Sequence, residues 1–214
     1  MAELRIKEIY QSIQGESTFA GWPCVFVRTA GCDIRCVYCD EAHAFGGGER
    51  LDLDEILARV AAFGTPLVEV TGGEPLAQKA TPELVRRLLD AGHQVLVETG
   101  GHHDISLLDP RAHAIVDVKT PGSQMSQHND LANLDRLRPG DELKFVLCDR
   151  ADYEFALALV REHKLEDRVP VHFSPVHPGL DPRDLVRWLL EDGLHVRLNL
   201  QLHKYVWGPD AKSV

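Results

Sequence analysis

The sequence predicts an α/β fold, a partial and open βα barrel of the TIM-like kind with its active site at the carboxyl ends of the strands. Three observations carry this: short β-branched runs alternate with amphipathic segments of helical period, only seven strand signals occur, and polar motifs recur just past those strands. Seven short units are too few for a closed eight-stranded barrel.

The strand runs fall at Val25 to Thr29, Leu67 to Val70, Val95 to Val97, Ile115 to Val118, Leu143 to Leu147, Val171 to Phe173 and Val196 to Leu200. Helical stripes fall at Leu53 to Phe63, Pro82 to Ala91, Tyr153 to His163 and Pro182 to Glu191. Thr81 and Asp181 each precede a first-turn proline and read as N-caps. Alternating strand and helix implies a parallel sheet with right-handed crossovers.

A chain of 214 residues with 44% hydrophobic content and no linker-like stretch predicts one domain over 1–214. The net charge of −10, without a basic cluster, argues against a nucleic-acid partner. No apolar run reaches the ~20 residues of a spanning helix, so no membrane role is expected. Five cysteines, an odd number, and a start without an apolar signal core point to a reducing cytoplasm.

The densest chemistry is Cys32-Asp33-Ile34-Arg35-Cys36-Val37-Tyr38-Cys39, a CxxxCxxC loop. Three thiolates leave one iron of a 4Fe-4S cluster open to an exogenous ligand. The competing reading is a zinc knot completed by His43. Cys24 and Cys148 sit in apolar runs and read as small buried hydrophobes. Gly46-Gly47-Gly48 reads as a flexible loop, His102, His103 and His172 as solvated or capping side chains, and Trp188 and Leu189 as core or dimer surface. Past the strand ends come Thr71-Gly72-Gly73-Glu74-Pro75, Glu98-Thr99-Gly100-Gly101, Asp117-Val118-Lys119-Thr120-Pro121 and Ser174-Pro175. Paired glycines admit close backbone approach, and Glu74 beside them is an acceptor for an ammonium group.

CxxxCxxC followed by Gly72-Gly73-Glu74-Pro75 resembles the radical S-adenosylmethionine superfamily. The start Gln11-Ser12-Ile13-Gln14-Gly15-Glu16, then Gly21-Trp22-Pro23, Phe26-Val27-Arg28, Asp117 to Pro121, Leu143 to Val146 and Leu202-His203-Lys204 resemble the 7-carboxy-7-deazaguanine synthase family across nearly the whole chain. The resemblance implies the barrel of the radical S-adenosylmethionine type and a ring contraction of 6-carboxy-5,6,7,8-tetrahydropterin to 7-carboxy-7-deazaguanine with loss of ammonia, on the route to queuosine. It implies a 4Fe-4S cluster on Cys32, Cys36 and Cys39, S-adenosylmethionine and Mg2+, an electron donor such as flavodoxin or ferredoxin, and a homodimer. By position, Ile13, Gln14, Gly15, Glu16, Arg28, Thr71 and His203 would bind substrate, with Glu16, Arg28 and Glu98 catalytic. Tyr38, Cys39, Asp40, Gly73, Glu74, Glu98, Ser123, Gln124, Ser174 and Pro175 would bind the cofactor. Ser17 stands where the family usually has glycine, Asp33 where it usually has asparagine, and Glu41 where a hydroxyl usually binds magnesium. A carboxylate is a hard-cation donor but longer than a hydroxyl and charged, so Glu41 leaves three outcomes open: magnesium bound in another position, a different cation, or a dispensable ion.

Overall fold

The computed structural model describes residues 2–213. Nine strands form one sheet: β1 (Glu3–Ile13), β2 (Pro23–Thr29), β3 (Glu49–Asp52), β4 (Leu67–Gly72), β5 (Gln94–Thr99), β6 (His113–Asp117), β7 (Glu142–Leu147), β8 (Val171–Pro175) and β9 (Arg197–Leu198). Their order is β3-β1-β2-β4-β5-β6-β7-β8-β9, so the barrel is open between β3 and β9. From β2 to β9 every neighbouring pair is parallel. The helices are α1 (Leu53–Ala61), α2 (Thr81–Asp90), α3 (Asn133–Arg136), α4 (Arg150–Glu162), α5 (Pro182–Asp192) and α6 (Leu202–Trp207).

All seven expected strands and four expected helices form. Two strands go beyond the prediction: β1 and β3 pair antiparallel and extend the sheet outward from β2. In β1 the alternation that marks a strand slips, because the register shifts between Ile6 and Glu8, a bulge that changes which side chains face in. β3 is four residues of largely charged edge, too short to show a period. Asp181 caps α5 as expected, accepting from the Arg183 amide. Thr81 does not cap: it lies inside α2 and its hydroxyl donates to the Pro75 carbonyl.

Strand parity decides what each face does. Val25, Val27, Val68, Val70, Val95, Val97, Val116, Phe145 and Phe173 point toward the helices and form the main core. There Tyr153 meets Phe173 edge-on at 5.7 Å and Trp188 at 5.4 Å, so Trp188 and the buried Leu189 are core residues. The opposite parity fills the barrel interior. Cys24, Phe26, Leu67, Leu96 and Ile115 make an apolar plug there, flanked by Tyr10 and Phe19. The same parity, one or two steps along, gives Arg28, Glu69, Thr71, Glu98, Asp117, Lys144 and Ser174, which line a cavity.

Two histidine and cysteine readings change. His172 is 1% exposed with Nε2 2.5 Å from Glu142, because it faces the barrel interior instead of solvent. Glu142 also takes bonds from His113 at 2.8 Å and from the Thr18 amide at 3.0 Å. Cys24 is fully buried as expected, whereas Cys148 is only part-buried, since it lies past the end of β7.

Candidate active site at the strand carboxyl ends

A cavity of about 230 Å³ opens above the apolar plug. Ile13, Gln14, Gly15 and Glu16 reach it from β1 and the turn beyond, with Arg28 from β2, Thr71 from β4 and Glu98 from β5. Cys32, Cys36, Tyr38, Cys39, Asp40 and Glu41 arrive on the loop after β2. Gly73 and Glu74 follow β4, Ser174 and Pro175 end β8, and His203 lies on α6. Ser123 and Gln124 are absent from the wall. The buried Ser123 hydroxyl is spent in its own turn, donating to the Thr120 carbonyl at 2.6 Å and accepting from the Met125 amide at 3.0 Å, and Gln124 is solvent-exposed.

Lys144 organises the inner wall. Its ammonium lies 3.1 Å from Glu16 and also bonds Glu98. Burial lowers the Lys144 pKa, but Glu16 and Glu98 overcome this and hold it well above its ordinary value. Burial likewise opposes ionisation of Glu16, yet Lys144 and a 3.0 Å bond from Gln201 keep it below the usual carboxylate range. Glu69 goes the other way. Burial first, and then the Glu98 charge, push it well above that range, although Gln14 donates to it. Burial thus prevails at Glu69, whereas the Lys144 charge prevails at Glu16.

The outer wall is built around Arg28, which donates to Glu8 at 2.8 Å and to the Tyr10 hydroxyl at 2.9 Å. Glu41 stands 3.6 Å from Arg28 and 3.1 Å from His43 Nδ1. Asp40 is held by Lys204 at 2.7 Å and Gln201 at 3.1 Å; burial would raise its pKa, but the Lys204 ammonium brings it down to about 2. The tail closes over this side, with Lys212 donating to the Asp40 carbonyl at 2.7 Å and Ser213 to Glu8. His203 packs directly on Gly15, where a Cβ would collide with the imidazole, and the Leu202 amide donates to the Gly15 carbonyl at 2.8 Å. Ser17 takes the left-handed conformation that glycine favours, φ 63°, and is pinned by the Asn199 side chain at 3.0 Å.

The cysteine loop fits a cluster better than a single zinc ion. Around one tetrahedral zinc, thiolates at ~2.3 Å would crowd to within about 4 Å of each other. The thiols of Cys32, Cys36 and Cys39 form no such group among the described residues, and His43 faces carboxylates instead. The loop is docked on Gly73, where any Cβ would strike the Gly31 carbonyl and the Cys32 Cβ. Beside it the Tyr38 hydroxyl and one Asp117 oxygen are buried without a partner, as expected of groups awaiting a ligand. Glu74 also lines the cavity. Its carboxylate already accepts from the Leu76 amide at 2.9 Å, the Thr99 hydroxyl at 2.8 Å and the Gly100 amide at 2.8 Å, so it clasps two loops together.

Sequence reasoning assigned no role to Glu8, Tyr10, Glu69, Asp117, Lys119, Lys144, Gln201 or Lys204, all of which line the cavity. The signal was parity: Glu69 and Lys144 interrupt apolar strands on the face shared with Thr71 and Glu98.

This barrel, with an open three-thiol loop at its carboxyl edge, defines a radical S-adenosylmethionine domain, and the model of the Radical SAM superfamily matches residues 26–191. Such a domain carries a 4Fe-4S cluster and S-adenosylmethionine. The 7-carboxy-7-deazaguanine synthase of Chlorobaculum tepidum is 48% identical over all of this chain and 98% of its own. That of Koribacter versatilis is 46% identical over 99% of this chain and 100% of its own. A solved structure of QueE from Escherichia coli superposes with a TM-score of 0.79 at 22% identity, covering 94% of this chain and 95% of that one, a likeness of fold. The chain belongs to the 7-carboxy-7-deazaguanine synthase family.

Proposed function

We propose that this enzyme contracts 6-carboxy-5,6,7,8-tetrahydropterin to 7-carboxy-7-deazaguanine, with loss of ammonia, on the route to the queuosine precursor preQ0. The observation that carries this is the meeting, in one cavity, of the three-thiol loop with a wall bearing Gln14, Glu16, Arg28 and Thr71.

When bound, the cluster and S-adenosylmethionine supply a one-electron reduction that yields a hydrogen-abstracting carbon radical. The side chains do the rest. Cys32, Cys36 and Cys39 would hold three irons, Tyr38, Asp40 and Ser174 would frame the cofactor, and Gly73 would let it approach the backbone. Glu16 accepts from the amide-bearing edge of the pterin, while Arg28 and Thr71 take its carboxylate. Release of ammonia needs a proton on the departing nitrogen, and Lys144 and Glu69 are the inner-wall groups placed to carry it. Glu41, beside Arg28 and His43, would offer a carboxylate to magnesium.

The chain folds as one domain and works in the reducing cytoplasm as a homodimer, fed electrons by a flavodoxin or ferredoxin. In support, one continuous sheet spans the chain, and no helix among the described residues is long and apolar enough to cross a membrane.

The deciding experiment is an anaerobic assay of cluster-loaded enzyme with reductant, S-adenosylmethionine and the pterin, read by mass spectrometry. 7-Carboxy-7-deazaguanine is expected. Deoxyadenosine without it would refute the substrate and leave the radical class standing.

A further inference from the structure

Asp33 follows the first cluster cysteine, and His102 and His103 sit on the loop after β5. His102 Nε2 lies 2.7 Å from one oxygen of Asp33 and His103 Nε2 lies 2.9 Å from the other. All three ligand atoms fall within 4.8 Å of one another. Adjacent donors bound to one divalent ion at ~2.0–2.2 Å stand about 3.0–3.5 Å apart, so small side-chain shifts would close this group on an ion.

Two features exceed what a surface ion pair needs. The His102 side chain is 6% exposed, and its Nδ1 is buried without a hydrogen bond, 3.8 Å from the Glu74 carboxylate. With Nε2 on Asp33, Nδ1 is left facing that carboxylate without a hydrogen bond. An ion on Nε2 instead places the proton on Nδ1, facing Glu74, the carboxylate–histidine–metal arrangement that fixes ligating imidazoles. The loop is also held rigid. Gly101 has φ +71° and a Cβ there would meet the Asp117 carbonyl at 2.7 Å. Buried Asn133 donates to the carbonyls of Gly101 at 3.0 Å and His103 at 2.8 Å and accepts from the Ile105 amide at 3.2 Å. Consecutive imidazoles therefore converge on one point, their rings 4.6 Å apart.

We propose that Asp33, His102 and His103 form a site for one divalent first-row transition ion of the zinc or ferrous class, with water completing its coordination. An ion held there bridges the cysteine loop to the loop after β5. The site is independent of the pterin reading, and its test needs no turnover.

Untagged enzyme with its cluster reconstituted is equilibrated anaerobically with micromolar ZnCl2, desalted, and counted for zinc and iron; a crystal soaked in ZnCl2 is measured at the zinc edge. The expected result is one zinc per chain above the cluster iron, with an anomalous peak among the three side chains. Asp33→Asn and His103→Ala, each with cluster iron and circular dichroism retained, should weaken zinc binding at least tenfold. Wild-type enzyme that keeps no zinc, or variants that keep as much as wild type, would overturn the site.

Discussion

The Lys144 ammonium stands 3.1 Å from Glu16, a residue 128 positions away in sequence, and bonds Glu98 from the strand between, so one buried cation ties the amino-terminal turn to the barrel wall. Lys144→Met leaves Glu16, Glu98 and Glu69 facing one another without a counter-charge. Loss of one partner from a buried pair costs about 3–5 kcal/mol. Urea denaturation should show that loss, and turnover should fall about a hundredfold if the lysine also carries a proton. Lys144→Arg keeps the charge and should recover most of the stability. Equal stability of Lys144→Met and wild type would remove the pivot.

Cys32→Ala, Cys36→Ala and Cys39→Ala should each abolish S-adenosylmethionine cleavage, while Cys24→Ala and Cys148→Ala should cleave normally. Only the first three line the cavity; Cys24 lies in the apolar plug and Cys148 beside Asp152. Deoxyadenosine formation and iron content per chain read this out. Full cleavage by any of the first three variants would sink the cluster assignment.

What the sequence disclosed followed from period and spacing. The parallel strands are short, mostly apolar runs and the cysteines sit at fixed intervals, so both were legible. β1 was hidden by its bulge, and β3 by its length. The bonding of Ser123 was hidden for another reason. A position in a motif gives a residue's place along the chain, but the buried Ser123 hydroxyl is consumed by its own turn. Asp33, His102 and His103 could not be joined from sequence, since they lie 69 and 70 residues apart.

Acid sensitivity should concentrate at Glu142. Burial would raise its pKa, but bonds from His113, His172 and Thr18 outweigh it and leave it far below the ordinary value of 4.5. A depressed carboxylate stabilises the fold fully above its unfolded pKa and loses that contribution as pH falls below it. Stability measured by denaturant should thus decline as pH drops below about 4.5. Glu142→Gln should be about 3–5 kcal/mol less stable at neutral pH and less sensitive to acid. Parallel pH curves for the two proteins would contradict this.

Glu41 tests how a carboxylate serves where the family resemblance places a hydroxyl. It is 30% exposed, 3.6 Å from Arg28 and 3.1 Å from His43, so it is an engaged side chain at the cavity edge. Glu41→Ala should lower turnover at least tenfold at limiting magnesium, and Glu41→Thr should restore part of it by offering a neutral oxygen ligand. Titrating magnesium against turnover for all three proteins measures this. Identical magnesium curves would assign Glu41 to Arg28 alone.

Arg28 carries the most discriminating prediction. The residue is 7% exposed, its guanidinium is oriented by Glu8 and Tyr10 at 2.8 and 2.9 Å, and it lines the cavity. Burial would lower its pKa, but Glu41, Tyr10 and Glu8 hold it above its ordinary value, so it stays charged throughout the working range. A charge-assisted bond to the pterin carboxylate contributes about 1.5–3 kcal/mol, or roughly 10- to 150-fold in affinity. Arg28→Ala should therefore raise the KM for the pterin by that factor while leaving the KM for S-adenosylmethionine within about threefold. Because the substitution also strands Glu8, Arg28→Lys is the control: it keeps a cation there but loses the fork, and should fall between the two. A rise confined to the S-adenosylmethionine KM would move Arg28 to the cofactor side of the cavity and leave the pterin carboxylate to Thr71.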